Sequence, residues 1–449
     1  MARTTKWWGA MKAASAYQHH YEVQKLHYKY GDFVRIGPNE LSINNEEIVG
    51  VIMKCDKGPW YNLGLPGPGT QLTRNRETHK IRRRIWDRAF TDEAVLQYLP
   101  GVIVKSSELL SLLKVKGPVN ITEFFNYYMW DSMGDIAFNK SFNMLPTHGK
   151  QDKYMRITLA SQFGVAIFGH IPYMIRILDL IPFMNSEYKE FMKWCEDLVV
   201  ERKQREPKTK DIFSCLLAAE DSNHGIGAVG MGSEARLAVI AGSDTTAATL
   251  ANIFFYLGSN QEVQKKLRDE VDLLYSAYDG DEEKMCRDLT PNGCPGTQYL
   301  EGVIREGLRI YAVLPGSPQR IAPPEGLTID GTYVPGGTAI LISQYTTTRD
   351  PRYFEHPTKF IPERWFEPEK YPLTHKQKAF QPFWSGTYSC VGKPFAYMQL
   401  RIVTARMIRS FEVALAEGTN EEKLFKDARD MFVLYMGKIE LLLTERNME

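Results

Sequence analysis

Cysteine is scarce in this chain: six among 449 residues, with no Cys-x-x-Cys pair. That excludes a disulfide scaffold, and the thiols read as mostly reduced, facing the cytosol. A dominant charge is missing too, with 55 Lys+Arg against 54 Asp+Glu. A protein that binds nucleic acid by electrostatics shows a basic excess, so no nucleic-acid partner is expected. No uninterrupted apolar run reaches the ~18 residues of a membrane-crossing helix. Gly/Ser linkers, Pro-rich tethers, charge blocks and internal repeats are absent as well, and one domain over residues 1–449 is the expectation. The chain has no His-Glu-x-x-His, no Gly-x-Ser-x-Gly and no Gly-Lys-Ser/Thr phosphate loop. It therefore offers no flavin or nicotinamide site, and any redox chemistry needs electrons from elsewhere.

What is present is a large apolar fraction, 43% hydrophobic and 12% aromatic. A core of that size rules out disorder. Met1–Lys6 is polar and basic, without a secretory apolar stretch, and leads into Trp7 and Trp8. The most apolar segment, Phe163–Met184, is interrupted by His170, Arg176 and Asp179. It reads as a core helix, with a membrane-dipping element as the alternative.

Apolar residues recur every three or four positions in Val95–Leu113, Ile121–Phe138, Ser186–Arg205, Glu234–Tyr256, Gln261–Leu274, Gln298–Tyr311 and Pro394–Ile408. A basic helix begins near Glu77 and closes over Trp86–Phe90. Strand-like runs are fewer: Phe33–Ile36, Glu40–Ile43, Leu327–Ile329, Ala339–Ser343, Met431–Tyr435 and Ile439–Leu443. Loops are expected at 58–70, 221–232, 279–296 and 322–337. The fold class is mainly α, with small antiparallel β-sheets set apart.

Two cysteines precede a helix in a Cys-x-Gly context, Cys294 and Cys390. A thiolate at a helix N-terminus is stabilised by backbone N–H groups and the dipole, as a nucleophile or metal ligand requires. The flanks separate the two. Upstream of Cys390, Phe383 can pack beneath the sulfur and Gly386 permits a turn, while Gly392 lets the backbone approach. Cys294 has Arg287 and Thr290 at the equivalent offsets. Cys55, Cys195, Cys215 and Cys286 read as small buried hydrophobes.

Phe383-x-x-Gly386-x-x-x-Cys390-x-Gly392 resembles the haem-binding loop of the cytochrome P-450 family of haem-thiolate monooxygenases. The resemblance implies a helical domain around a buried haem b, with Cys390 as axial iron ligand. Where the family usually has Arg or His two residues before the cysteine, this chain has Tyr388, which donates a hydrogen bond but carries no charge. Ala241-Gly-Ser-Asp244-Thr245-Thr246 lies within the Glu234–Tyr256 helix, where a mid-helix Gly and paired threonines work against propensity. Thr245 can bond the Ala241 carbonyl and bend the helix. By the resemblance Asp244 and Thr245 deliver protons during oxygen activation, and the groove at the Gly admits oxygen and water beside Ala241.

Further motifs follow the family's order. Glu306 and Arg309 lie on one helix face, and Arg364 follows in Pro362-Glu-Arg-Trp365. The resemblance makes these three a buried ionic triad. It also puts His79, in place of the usual Trp, with Arg83 and Arg320 on the haem propionates. Arg82, Arg84, Lys393 and Arg401 read as a basic docking face. The implied partner is NADPH-cytochrome P-450 reductase, supplying electrons for the use of O2, and the implied state is a monomer. Pocket walls are expected from Leu237, Ile240, Leu314, Ser317 and Val433, favouring a lipophilic substrate such as a terpenoid or polyketide.

The likeness runs from Tyr30 to Glu440 and is greatest to fungal microsomal members, which places the protein on the cytosolic face of the endoplasmic reticulum membrane. Those members carry an N-terminal membrane anchor, absent from this chain, and the expectation is that it has been removed. Two rival readings stay open. One is a reductase-independent isomerase, dehydratase or peroxygenase; the other is a non-catalytic haem sensor. The intact Asp244-Thr245 pair speaks against both.

Overall fold

Side-chain caps set where several of the helices begin. A computed structural model describes residues 4–63, 69–181, 184–207, 209–221, 228–290, 292–316 and 318–447. The arginine-rich helix Arg76–Ala89 starts at Asn75, whose side chain accepts from the Thr78 N–H at 2.8 Å. Thr91 caps Asp92–Leu112 and Asn260 caps Gln261–Ala277 in the same way.

The core is built around the long helix Ala228–Ser259. Ile121–Phe138, buried on nearly every face, packs along it. Ser243 Oγ donates to the Met129 carbonyl at 3.3 Å, and a Cβ on Gly242 would lie 2.5 Å from Met133 Sδ. The glycine is therefore occupied by close helix–helix approach. The long helix stays α-helical throughout, so Gly242 opens no break in it. On another side, Asn252 Nδ2 donates to the Gly307 carbonyl at 2.6 Å and ties the long helix to Gln298–Ile310. Lys393–Ser410, the helix after Cys390, packs against both.

The sheets sit at the margins. Five short strands run in the order Phe33–Gly37, Glu40–Ile43, Ala339–Ile342, Arg320–Ile321, Asp56–Lys57. All neighbours are antiparallel except Glu40–Ile43 with Ala339–Ile342, which pair in parallel from Glu40 opposite Ala339. Pro118–Asn120, Glu440–Glu445 and Phe411–Leu415 form a second sheet, and Leu327–Ile329 with Thr332–Val334 a hairpin inside an expected loop. Another expected loop holds the helix Glu282–Asp288, capped by Asp281.

Two further expectations fail. Met431–Tyr435 is not one strand: Arg429–Met431 and Val433–Tyr435 pair across a turn at Phe432, which has φ 75°. Alternation of apolar residues reads the same on a strand as on two arms folded over one residue. Phe163–Met184 is not core either. The helix Lys153–Phe168 ends there, and Tyr173–Asp179 buries no residue; Tyr173, Ile177, Leu180, Ile181 and Met184 are exposed. Among the described helices one stretch, Gly230–Ser259, is long and apolar enough to cross a membrane, and its most apolar part is mostly buried in the protein.

Candidate functional site

The Cys390 loop is held from both ends. The Cys390 N–H donates to the Phe383 carbonyl at 2.9 Å, and Gly386 turns at φ 73°. Arg83 Nη1 reaches from the arginine-rich helix to the Ser389 carbonyl at 2.5 Å, while its Nε bonds Asp87 at 2.7 Å. The N–H groups of Gly392 and Lys393 point at the sulfur, and both they and Arg83 favour a thiolate. Although the residue is exposed at the surface, loss of water around the sulfur outweighs them and pushes the thiol pKa up, the reverse of the drop that a helix N-terminus alone gives. A coordinating metal would tip that balance, since a bound thiol gives up its proton. Gly392 has an ordinary φ of −79°, and a Cβ there would meet nothing closer than 3.9 Å. Cys294 is half-buried before Gln298–Ile310, and its pKa too is raised by burial.

Beside this loop basic groups converge on Tyr388. Its ring lies 4.6 Å from that of His79, 4.9 Å from Lys57 Nζ and 4.7 Å from the Arg320 guanidinium. Arg320 Nη1 donates to Tyr61 Oη at 3.0 Å. Lys57 donates to the carbonyls of Thr70, Gln71 and Thr73, and burial, then Arg320, pushes its pKa down to about 7. His79 falls to about 3, first by burial and then through Lys57, Arg83 and Arg320, so its imidazole is neutral at pH 7. Among the described residues three buried polar atoms in this cluster find no partner: His79 Nδ1, Arg320 Nε and Tyr388 Oη. Buried donors are rarely left so, and these suit the carboxylates of a porphyrin. A soft sulfur ligand with orphaned donors beside it fits an iron porphyrin. Among the described residues no group of three or more His, Cys, Asp or Glu could hold a metal ion alone.

Along the long helix, Ala241 is exposed and Leu237, Ile240, Gly242 and Thr245 are half-buried amid buried neighbours. Thr245 Oγ1 donates to the Ala241 carbonyl at 3.2 Å. Asp244 is buried, and its Oδ2 accepts from Gln162 Nε2 at 2.8 Å and from Tyr435 Oη at 2.5 Å. Burial raises its pKa, and the two donors only partly offset this. At the start of the same helix Glu234 accepts from Thr70, Trp86 Nε1 and Arg82. Arg82 is therefore buried and paired, not on a docking face, and so is Arg401, which bonds Glu301. Arg84 and Lys393 are exposed.

Glu306, Arg309 and Arg364 meet with no side-chain exposure. Arg309 grips Glu306 through Nε at 2.9 Å and Nη2 at 2.7 Å, and Arg364 Nε joins at 3.0 Å. The Trp365 indole and the Ile361 N–H add two more donors. Burial opposes ionisation of Glu306, but the two arginines win and hold its pKa below the ordinary value.

The profile of the cytochrome P-450 family matches residues 4–443. The chain belongs to the cytochrome P-450 family. Similar proteins include the cytochrome P-450 monooxygenase FCK2 of Fusarium pseudograminearum, 36% identical over 95% of this chain and 77% of its own length. The monooxygenase nodW of Hypoxylon pulicicidum is 34% identical, covering 95% and 78%. Tryprostatin B 6-hydroxylase of Aspergillus fumigatus is 32% identical, covering 95% and 76%. The protein is thus a P-450 monooxygenase whose relatives are fungal, and the family uses haem iron, O2 and electrons from a redox partner.

Of the wall residues expected in this P-450, Leu314 is half-buried after the Glu306 helix and Val433 is buried in the C-terminal hairpin. Ser317 lies outside the described residues. Sequence reasoning missed Lys57, Gln162, Glu234 and Tyr435. None sits in a motif, and each is picked out only by partners far away in the chain.

Proposed function

We propose that this P-450 binds haem b through Cys390 and hydroxylates a lipophilic small molecule of fungal secondary metabolism, such as a terpenoid or polyketide. NADPH-cytochrome P-450 reductase supplies the electrons, at the cytosolic face of the endoplasmic reticulum membrane. The observation that carries the reading is the pairing of a Cys390 sulfur faced by two backbone N–H groups with the unpartnered donors of His79, Arg320 and Tyr388 nearby.

In this reading Cys390 holds the iron, while Arg83 and Phe383 fix its loop and Gly392 directs an N–H at the sulfur. His79, Arg320 and Tyr388 bind the propionates; a neutral imidazole donates one hydrogen bond much as the family's indole does. When bound, the haem supplies oxygen activation by a thiolate-ligated iron. The chain's own work is to orient substrate and move protons. Ala241 and the apolar walls Leu237, Ile240, Leu314 and Val433 exclude water and position a C–H bond. Asp244 holds a proton and passes it by way of the Thr245 hydroxyl. Glu306, Arg309 and Arg364 lock the loops that lead to Cys390. The relative named as a 6-hydroxylase supports hydroxylation as the reaction.

The test is spectroscopic. Cys390→Ser is expected to abolish the red-shifted Soret band of the ferrous–CO adduct, whereas Cys294→Ser leaves it intact; the reverse pattern overturns the assignment. Turnover is expected to need NADPH, reductase and O2 together. Unaided conversion of a hydroperoxide would instead favour the reductase-independent reading.

A further inference from the structure

The acid of the long helix is not free to turn. Gln162 Nε2 donates to Asp244 Oδ2 at 2.8 Å and to Tyr435 Oη at 2.9 Å, and Tyr435 Oη donates to the same Asp244 oxygen. Three side chains close a ring of hydrogen bonds. Each comes from a different element: the helix Lys153–Phe168, the C-terminal hairpin and the long helix. From a fourth, Ile121–Phe138, the Trp130 indole lies close enough to help hold the carboxylate, and its buried Nε1 has no other partner.

The hairpin is itself fixed from outside. The Leu434 N–H donates to the Val313 carbonyl at 2.7 Å, just past the Glu306 helix. Asp430 accepts from the His20 N–H at 3.1 Å, and its own N–H donates to the Tyr17 carbonyl at 2.6 Å. At the tip, Phe432 stacks on Trp60 with ring centroids 4.9 Å apart and 16° between planes. These contacts hold Tyr435 in place, so the Asp244 carboxyl is released only when its two hydrogen bonds break or the hairpin itself shifts.

We propose that Tyr435 and Gln162 are positioning residues that latch the Asp244 carboxylate. Proton supply then waits on a substrate that shifts the C-terminal hairpin or the Lys153–Phe168 helix. The proposal rests on the reading of Asp244 and Thr245 as the proton path. Its chemistry is a single proton transfer. The Asp244 carboxyl gives its O–H proton towards Thr245 and regains one from water, with no net change in the protein. In the latched state two donors hold the Asp244 carboxyl at Oδ2, so its proton is not passed to Thr245 and a resting enzyme is spared idle reduction of oxygen.

The variants are Tyr435→Phe and Gln162→Leu in the full, haem-loaded chain. The first readout is independent of turnover: the pH titration of the carboxyl infrared band that Asp244→Asn removes. The groups facing Asp244 are Tyr435, Gln162 and Trp130, so loss of the strongest donor takes support from the ionised form. Tyr435→Phe is expected to move the midpoint upward, and Gln162→Leu to move it the same way by less. The second readout is product formed per NADPH, expected to fall about tenfold with substrate affinity and the ferrous–CO band unchanged. An unmoved midpoint overturns the latch. A shifted midpoint with undiminished coupling overturns its link to proton supply. Absence of the thiolate band in the unmutated protein would count against the haem-thiolate reading itself, while the midpoint shift would still report on the latch.

Discussion

Glu306 concentrates more at one atom pair than any other carboxylate described here. Two guanidinium groups, an indole and a backbone N–H converge on it without solvent. Removing its charge leaves both arginines buried and uncompensated, so Glu306→Gln is expected to destabilise the fold by about 3–5 kcal/mol in urea titration. The sign of its pH dependence follows from the depressed pKa. Its contribution is present above the unfolded carboxylate pKa and is lost as pH falls through the lower, folded value. The variant should therefore show a flatter acid limb than the unmutated chain. Asp244 works in the opposite sense: its pKa is raised, so its ionisation opposes folding as pH climbs. At this scale Glu306 and Arg309 were legible because they stand three residues apart on one helix, and Cys390 because its loop is continuous. Gln162 and Tyr435 were not, because they reach Asp244 across 82 and 191 residues of chain. A pairing so distant leaves no local pattern.

Helices were the legible elements, since burial on one side repeats with the helical turn and caps mark the starts. Where a segment is apolar without a clear period, the sequence misled. Phe163–Met184 has enough hydrophobicity for a core helix, yet its second half lies open on the surface. The hairpin was hidden for another reason: a bulky residue, Phe432, occupies the left-handed turn where glycine or asparagine is the usual signal. Stacking on Trp60 offsets that backbone strain. Glycines set close approaches that the sequence could not reveal. At Gly302, inside Gln298–Ile310, a Cβ would lie 2.7 Å from the Pro362 carbonyl oxygen. Gly→Ala within a helix ordinarily stabilises by about 0.5–1 kcal/mol. Here the sign is expected to reverse, with Gly302→Ala losing about 1–3 kcal/mol in chemical denaturation, because backbone must yield.

Over the whole molecule, near-neutral charge hides an uneven arrangement. Arg82, Arg401 and Arg406 turn inward to Glu234, Glu301 and Glu282. What stays exposed on the arginine-rich helix and at the start of Lys393–Ser410 is Lys80, Arg84, Arg88 and Lys393. If these meet an acidic redox partner, Arg84→Glu combined with Lys393→Glu should raise the reductase KM roughly tenfold at low salt. The difference should shrink as ionic strength shortens the Debye length below about 10 Å. Stopped-flow reduction of the ferric protein measures both.

The C-terminal hairpin also bears on the order in which the protein is made. Tyr17 and Gln18 bond Asp430 and the carbonyls of Phe425 and Lys426, which are made far later in synthesis. Cys390 and its loop are synthesised before Tyr435 exists. A nascent chain, or one cut short before Arg429, therefore has the Cys390 thiol while Asp244 still lacks the phenol that bonds it. Synthesis of the C-terminal hairpin, rather than arrival of the cysteine, is the event that completes the ring around Asp244.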